Sequence, residues 1–171
     1  MSRDGALGAF DEARDRFLAA FDRVPDAALG FLKPGDDYAI GGLLAHMTWG
    51  MGHYSDVLDR VAAGGFGELR DRIDPAETDR SAEEARRGID GAARGPALEA
   101  MRAAHDRFVR RCRDLAEADF ERTAPVFYGD ATEPHPTSAA VVAGWLTDHY
   151  DEHVPHVGEL LTAYEAAGAA G

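Results

Sequence analysis

Asparagine and glutamine are absent from this 171-residue chain, lysine occurs once, at Lys33, and cysteine once, at Cys112. One cysteine excludes an intrachain disulfide and a thiolate-rich metal site, so a metal would have to be held by His, Asp or Glu. The dominance of Ala, Gly, Asp and Arg suggests a GC-rich genome and carries no information about function. Apolar runs are short: none approaches the roughly 18 to 20 residues that span a bilayer, and the opening MSRDGALGAFDEARDRF has charges where a secretion signal needs an apolar centre. No membrane partner is expected, and the expected compartment is the cytoplasm. Positive charge is also scarce. The net charge of -13 repels phosphate backbones, and no basic helix offsets it, so nucleic acid is not an expected partner.

What is present is enough to fold. With 45% hydrophobic residues over this length, one domain covering 1–171 is expected. Leu7, Phe10, Phe17, Phe21 and Val24 recur at helical spacing and define a first helix. Pro25 and the run from Lys33 to Asp37 interrupt it, and Asp36 or Asp37 is placed to cap a second helix beginning near Tyr38. Its stripe is Ile40, Leu43, Met47, Gly50, Tyr54, Leu58 and Val61, ending at Gly64 and Gly65. A polar connection from Phe66 to Gly95 follows, with room for one short helix after Ser81, where Glu84 completes a capping box. Connections this long are more often functional, so the segment is expected to cover or flank a site. Leu98, Met101, Phe108, Cys112 and Leu115 mark a third long helix. After a proline-containing connection, Thr137 or Ser138 caps a last one carrying Val142, Trp145, His149, His153, His156, Leu160 and Tyr164, with a terminal Ala/Gly tail expected to fray. Pro155 predicts a kink. No alternating pattern of useful length argues for strands. The expected class is all-α, a four-helix bundle with long connections between helices two and three and between helices three and four.

Five of the seven histidines lie in helices two and four. His149 and His153 are four residues apart, which puts both imidazoles on one helical face a turn apart, the spacing of a chelate. His46 sits at the margin of the second stripe. Buried imidazoles are costly without partners, so three in one bundle interior need a shared reason: either a metal ion, or hydrogen bonds among themselves and with neighbouring carboxylates. Three neutral imidazoles suit Zn, Ni, Fe or Cu and leave a coordination position open.

GGLLAHMTWGMGHYSDVLDRV resembles the second helix of the DinB superfamily, and WLTDHYDEHVPHVGELL resembles its fourth, in which HxxxH supplies two metal ligands. FDRVPDAALGFLKPGDDYAIGGLLAH is similar to the family's lead-in, so the resemblance covers nearly the whole chain. It implies a DinB-like four-helix bundle holding one divalent transition metal on His46, His149 and His153, with Zn the first choice and Ni or Fe alternatives. His156, one turn from His153, is a competing ligand. The implied function is a metal-dependent enzyme, a transferase or hydrolase, acting on a small molecule. Thiol-dependent S-transfer with a low-molecular-weight thiol is favoured over maleylpyruvate-type isomerisation and hydrolytic self-protection. The alternative is a non-catalytic metal-binding or stress and self-resistance protein. A homodimer is left open, no organic cofactor is implied and no catalytic residue is assigned.

The remaining candidates have plainer readings. His53 is either a general base at the mouth of the site or an edge histidine, and His105 and His135 read as surface residues. Tyr54, Tyr128, Tyr150 and Glu152 are candidate partners for the outer nitrogens of ligating imidazoles. Cys112 reads as a small buried hydrophobe. Free imidazole titrates near 6.5, so a three-histidine site is expected to release its metal through roughly pH 6, whereas a site on Asp148, Asp151 and Glu152 would hold to about pH 4 to 5.

Overall fold

A computed structural model describes residues 2–169. Four long helices dominate: α1 (Arg3–Phe21), α2 (Gly42–Ala63), α4 (Arg94–Asp114) and α6 (Ala139–Ala169), with the shorter α3 (Pro75–Arg87) and α5 (Glu117–Phe120) in the connections. The protein is an all-α helical bundle. Ala170 and Gly171, the end of the tail expected to fray, lie outside the described residues.

The apolar stripes meet as the spacing requires. Phe10, Phe17 and Phe21 from α1, Leu43, Met47 and Met51 from α2, Met101, Phe108 and Cys112 from α4, and Val142, Leu146 and Tyr150 from α6 form one buried core. α6 packs chiefly on α1, and α2 on α4 and α3, whereas α2 and α6 touch each other sparingly. That seam is where the histidines stand. Ser138 caps α6, its hydroxyl accepting from the Val141 N–H, and the helix continues through Pro155 to Ala169.

Several boundaries differ from the sequence reading. α2 begins at Gly42 rather than near Tyr38, because the backbone N–H groups just before it are drawn sideways. Tyr38 N–H donates to the Asp36 carboxylate, Ala39 N–H to the Ala85 carbonyl, Ile40 N–H to Phe31 and Gly41 N–H to Leu29. Asp36 therefore forms an Asx turn and caps no helix. The helix expected after Ser81 starts seven residues earlier, with Asp74 accepting from Ala76 N–H and Pro75 in the first turn, so Ser81 is mid-helix.

The expectation of no strands is corrected. β1 (Leu69–Asp71), β2 (Ala124–Tyr128) and β3 (His135–Thr137) form a small sheet in which β1 pairs parallel to β2, and β2 antiparallel to β3. Segments of three to five residues are too short to show alternation. Pairing across the chain and packing of Val126 and Ala124 on Val57 and Val61 of α2 hold them in place.

Candidate metal centre

α2 and α6 bring three imidazoles to one point. His46 Nε2 lies 2.8 Å from His149 Nε2, which lies 3.0 Å from His153 Nε2. One nitrogen from each of the three falls within 4.8 Å of the others, an arrangement able to hold a metal ion. His153 is only 5% exposed and occupies a core position between Tyr150 and Val157, while His46 and His149 are half-buried.

The donor chemistry tests the fit. A neutral imidazole nitrogen carries either one proton or one lone pair, so His149 Nε2 cannot serve both of its close neighbours with directed hydrogen bonds. A cation shared by the three lone pairs gives each nitrogen a partner. The imidazoles are also kept neutral. Burial, then repulsion from His149, lowers His46 to about 4. Burial, followed by repulsion from the neighbouring histidines, lowers His153 to about 3, against the opposing pull of Asp36. Burial lowers His149 as well, against Glu152. Protons therefore compete for the His46 and His153 nitrogens well below the pH 6 expected from free imidazole, and release near pH 6 is no longer the expected mark of a three-histidine site.

His156 does not join the convergence. Its Nδ1 lies 3.3 Å from His153 Nδ1, and its Nε2 donates to Asp36 Oδ2 at 3.1 Å. Tyr38, two residues after Asp36, packs its ring on His46 at 4.7 Å and edge-on to His153 and His156. Neither Asp36 nor Tyr38 stood among the candidate residues. Their loop carries no helical periodicity, and Asp36 lies 120 residues from the histidine it meets.

Beside His46 opens a cavity of about 330 Å³, bounded by Tyr38 and Trp49 and by Ser81, Ala82 and Ala85 of α3, with Asp37 and Arg86 paired at its edge. The Phe66–Gly95 connection therefore does flank the histidines. α3 can come this close because Gly42 faces the Ala85 carbonyl, where a Cβ would overlap it. Gly50, one turn after His46 and buried, has open space where its Cβ would be.

The other histidines divide. His53 Nε2 sits 3.0 Å from Asp71 Oδ2, its ring stacked on Trp49, in a second cavity on the far side of that tryptophan. Arg60 donates to the same carboxylate at 2.7 Å. His135 is exposed, edge-on to Trp145. His105 corrects its surface reading: it is fully buried, stacked on Phe10 at 4.0 Å, and its Nε2 donates to Asp11 at 2.8 Å. Of the expected outer-nitrogen partners, Tyr150 points into the core toward the Met51 sulfur and His105. Tyr128 bonds Thr137, Tyr54 packs on Tyr128 and Trp145, and Glu152 is exposed. Burial pushes the Cys112 thiol up to about 12, as suits a small buried hydrophobe.

A family model for the DinB superfamily matches residues 9–157, most of the chain, including α2 and α4 and the greater part of α1 and α6. The chain belongs to the DinB superfamily. Searches of curated proteins and of solved structures found no match. Among the described residues, no helix of this DinB-superfamily member is long and apolar enough to cross a membrane.

Proposed function

We propose that this DinB-superfamily protein is a metal-dependent enzyme that acts on a small molecule, with His46, His149 and His153 as the ligands of a divalent transition metal, Zn first and Ni or Fe next. One observation carries the reading: three imidazole nitrogens, with no carboxylate among them, converge beside a cavity. Three ligands from the protein leave a coordination position free, which is the pattern of catalytic rather than structural sites. When bound, such an ion supplies Lewis acidity that acidifies a thiol or water at neutral pH.

The favoured reaction is S-transfer, in which a low-molecular-weight thiol gives up its proton and its sulfur bonds to an electrophilic carbon as a leaving group departs. The chain's own residues suit this in plain ways. The walls formed by Tyr38, Trp49, Ala82 and Ala85 are mainly apolar and exclude water from a reacting sulfur. A volume of about 330 Å³ suits a small molecule rather than a peptide.

The test is elemental analysis of protein purified without added metal, then reaction of the Zn-, Ni- and Fe-loaded forms with bacterial thiols and a chloronitroaromatic acceptor. Thioether formation that needs the metal and vanishes in His149→Ala is the expected result. A protein that binds metal stoichiometrically yet neither turns over nor binds any thiol would be a non-catalytic metal-binding protein, and the enzyme reading would fall.

A further inference from the structure

We propose that Asp36 and His156 are positioning residues that fix His153 in the one tautomer able to present a lone pair from Nε2 to a metal. The inference rests on the three-histidine reading above and adds two residues that do not touch the ion.

The argument follows protons along one chain of contacts. Asp36 is anchored first: its Oδ1 accepts from the Tyr38 N–H at 3.1 Å and its Oδ2 faces His156 Nε2 at 3.1 Å. Burial alone would raise its carboxyl, but the His156 hydrogen bond and the Tyr38 and Asp37 N–H groups hold it below the ordinary value, so it is an acceptor. His156 Nε2 must then carry a proton. In a neutral ring that leaves Nδ1 with a lone pair, and the only proton available for the 3.3 Å contact with His153 Nδ1 is on His153. A His153 that spends its single ring proton on Nδ1 has a bare Nε2, and that is the atom 3.0 Å from His149 Nε2. The reverse assignment would set the lone pair of His156 Nε2 against a carboxylate.

The relay replaces the usual single carboxylate or carbonyl behind a metal-binding histidine with a His–Asp pair, and it ties α6 to the loop ahead of α2. That loop also supplies Tyr38, whose ring covers His46 and His153. One loop thus supplies both the carboxylate behind the relay, Asp36, and one wall of the cavity, Tyr38.

The experiment has a metal-free arm and a metal arm. In the metal-free parent protein, imidazole nitrogen NMR should show His153 protonated at Nδ1 and bare at Nε2, and His156 protonated at Nε2. In His156→Phe, which keeps a ring but no donor or acceptor, His153 should become a tautomer mixture, and Zn(II) affinity measured against a chromogenic chelator should fall about 10- to 100-fold. His156→Gln, whose carbonyl can accept from His153 and whose amide can donate to Asp36, should recover most of that loss, which a merely space-filling role would not allow. Asp36→Asn should weaken binding in the same direction. A parent His153 protonated at Nε2 would overturn the relay, as would a His156→Phe affinity within about twofold of the parent. If the parent binds no Zn(II), Ni(II) or Fe(II) at all, the three-histidine reading and the relay both fall.

Discussion

Replacing His149 by alanine should remove the metal and leave the fold. His149 is the hub of the cluster, since its Nε2 is the one within 3.0 Å of both other nitrogens. Its half-buried ring lies beside, and not in, the core stripe that Leu146, Tyr150, Val157 and Leu160 carry along α6. The metal-free variant loses an imidazole held neutral by burial, and its melting temperature should stay near that of the metal-free parent. The metal-loaded forms should part. Structural zinc sites with four ligands bind with about 10–16 kcal/mol, roughly 2.5–4 kcal/mol per ligand, so losing one costs on the order of 100- to 1000-fold in affinity. At saturating metal even a 100-fold loss removes about 2.7 kcal/mol of linked stability. For a chain of this length each kcal/mol moves the midpoint by about 2–4 °C, which gives a difference of about 5–11 °C. Thermal scans of parent and variant, with chelator and with excess Zn(II), read it directly. A variant that keeps the parent's full metal-dependent rise would refute the hub assignment.

Acidification should destabilise the metal-free protein. His46 and His153 have folded-state values of about 4 and about 3, below the unfolded value near 6.5, so stability is complete above pH 6.5 and declines as pH falls toward 4 and then 3. Buried His105 acts in the same direction. Urea midpoints that stay level between pH 7.5 and 4.5 would count against it. Gly42→Ala should cost about 1–3 kcal/mol by driving α3 off α2, read as a lower urea midpoint, because the new methyl group meets the Ala85 carbonyl. Gly50→Ala should instead add about 0.5–1 kcal/mol, since its methyl group enters open space and the helix interior loses a glycine. A fall in its melting temperature would show that space to be filled.

The helices were legible wherever a stripe repeated, and the HxxxH pair could be read from spacing alone. His46 joins that pair by its place at a stripe margin, and the family resemblance strengthens the grouping, because a single histidine at a stripe margin specifies no partner by itself. What escaped was set by distant contacts. His105 looked like a surface residue because its acceptor, Asp11, is 94 residues away on another helix. α2 starts late because Ala85, Phe31 and Leu29 claim the N–H groups that a local reading gives to the helix. β1 exists only through pairing with a segment more than fifty residues away, as Leu69 with Val126 shows, and β2 and β3, which pair across a turn, are too short to show alternation.

The placement of the site follows from how α6 divides its surface. One face buries Val142, Leu146, Tyr150 and Val157 and packs mainly on α1. The adjoining face carries Trp145 and His149 toward the seam with α2, where polar rings fill space that apolar side chains fill elsewhere, and His156 toward the loop ahead of it. His153 alone belongs to both, as a buried core residue with one nitrogen in the cluster and the other facing His156. Its replacement by alanine should therefore cost stability even without metal, by the cavity left at a 5% exposed position, whereas loss of His149 should not. The difference between those two metal-free melting temperatures measures how far the site is built into the core. Equal values for the two variants would mean that His153 is no more a core residue than His149.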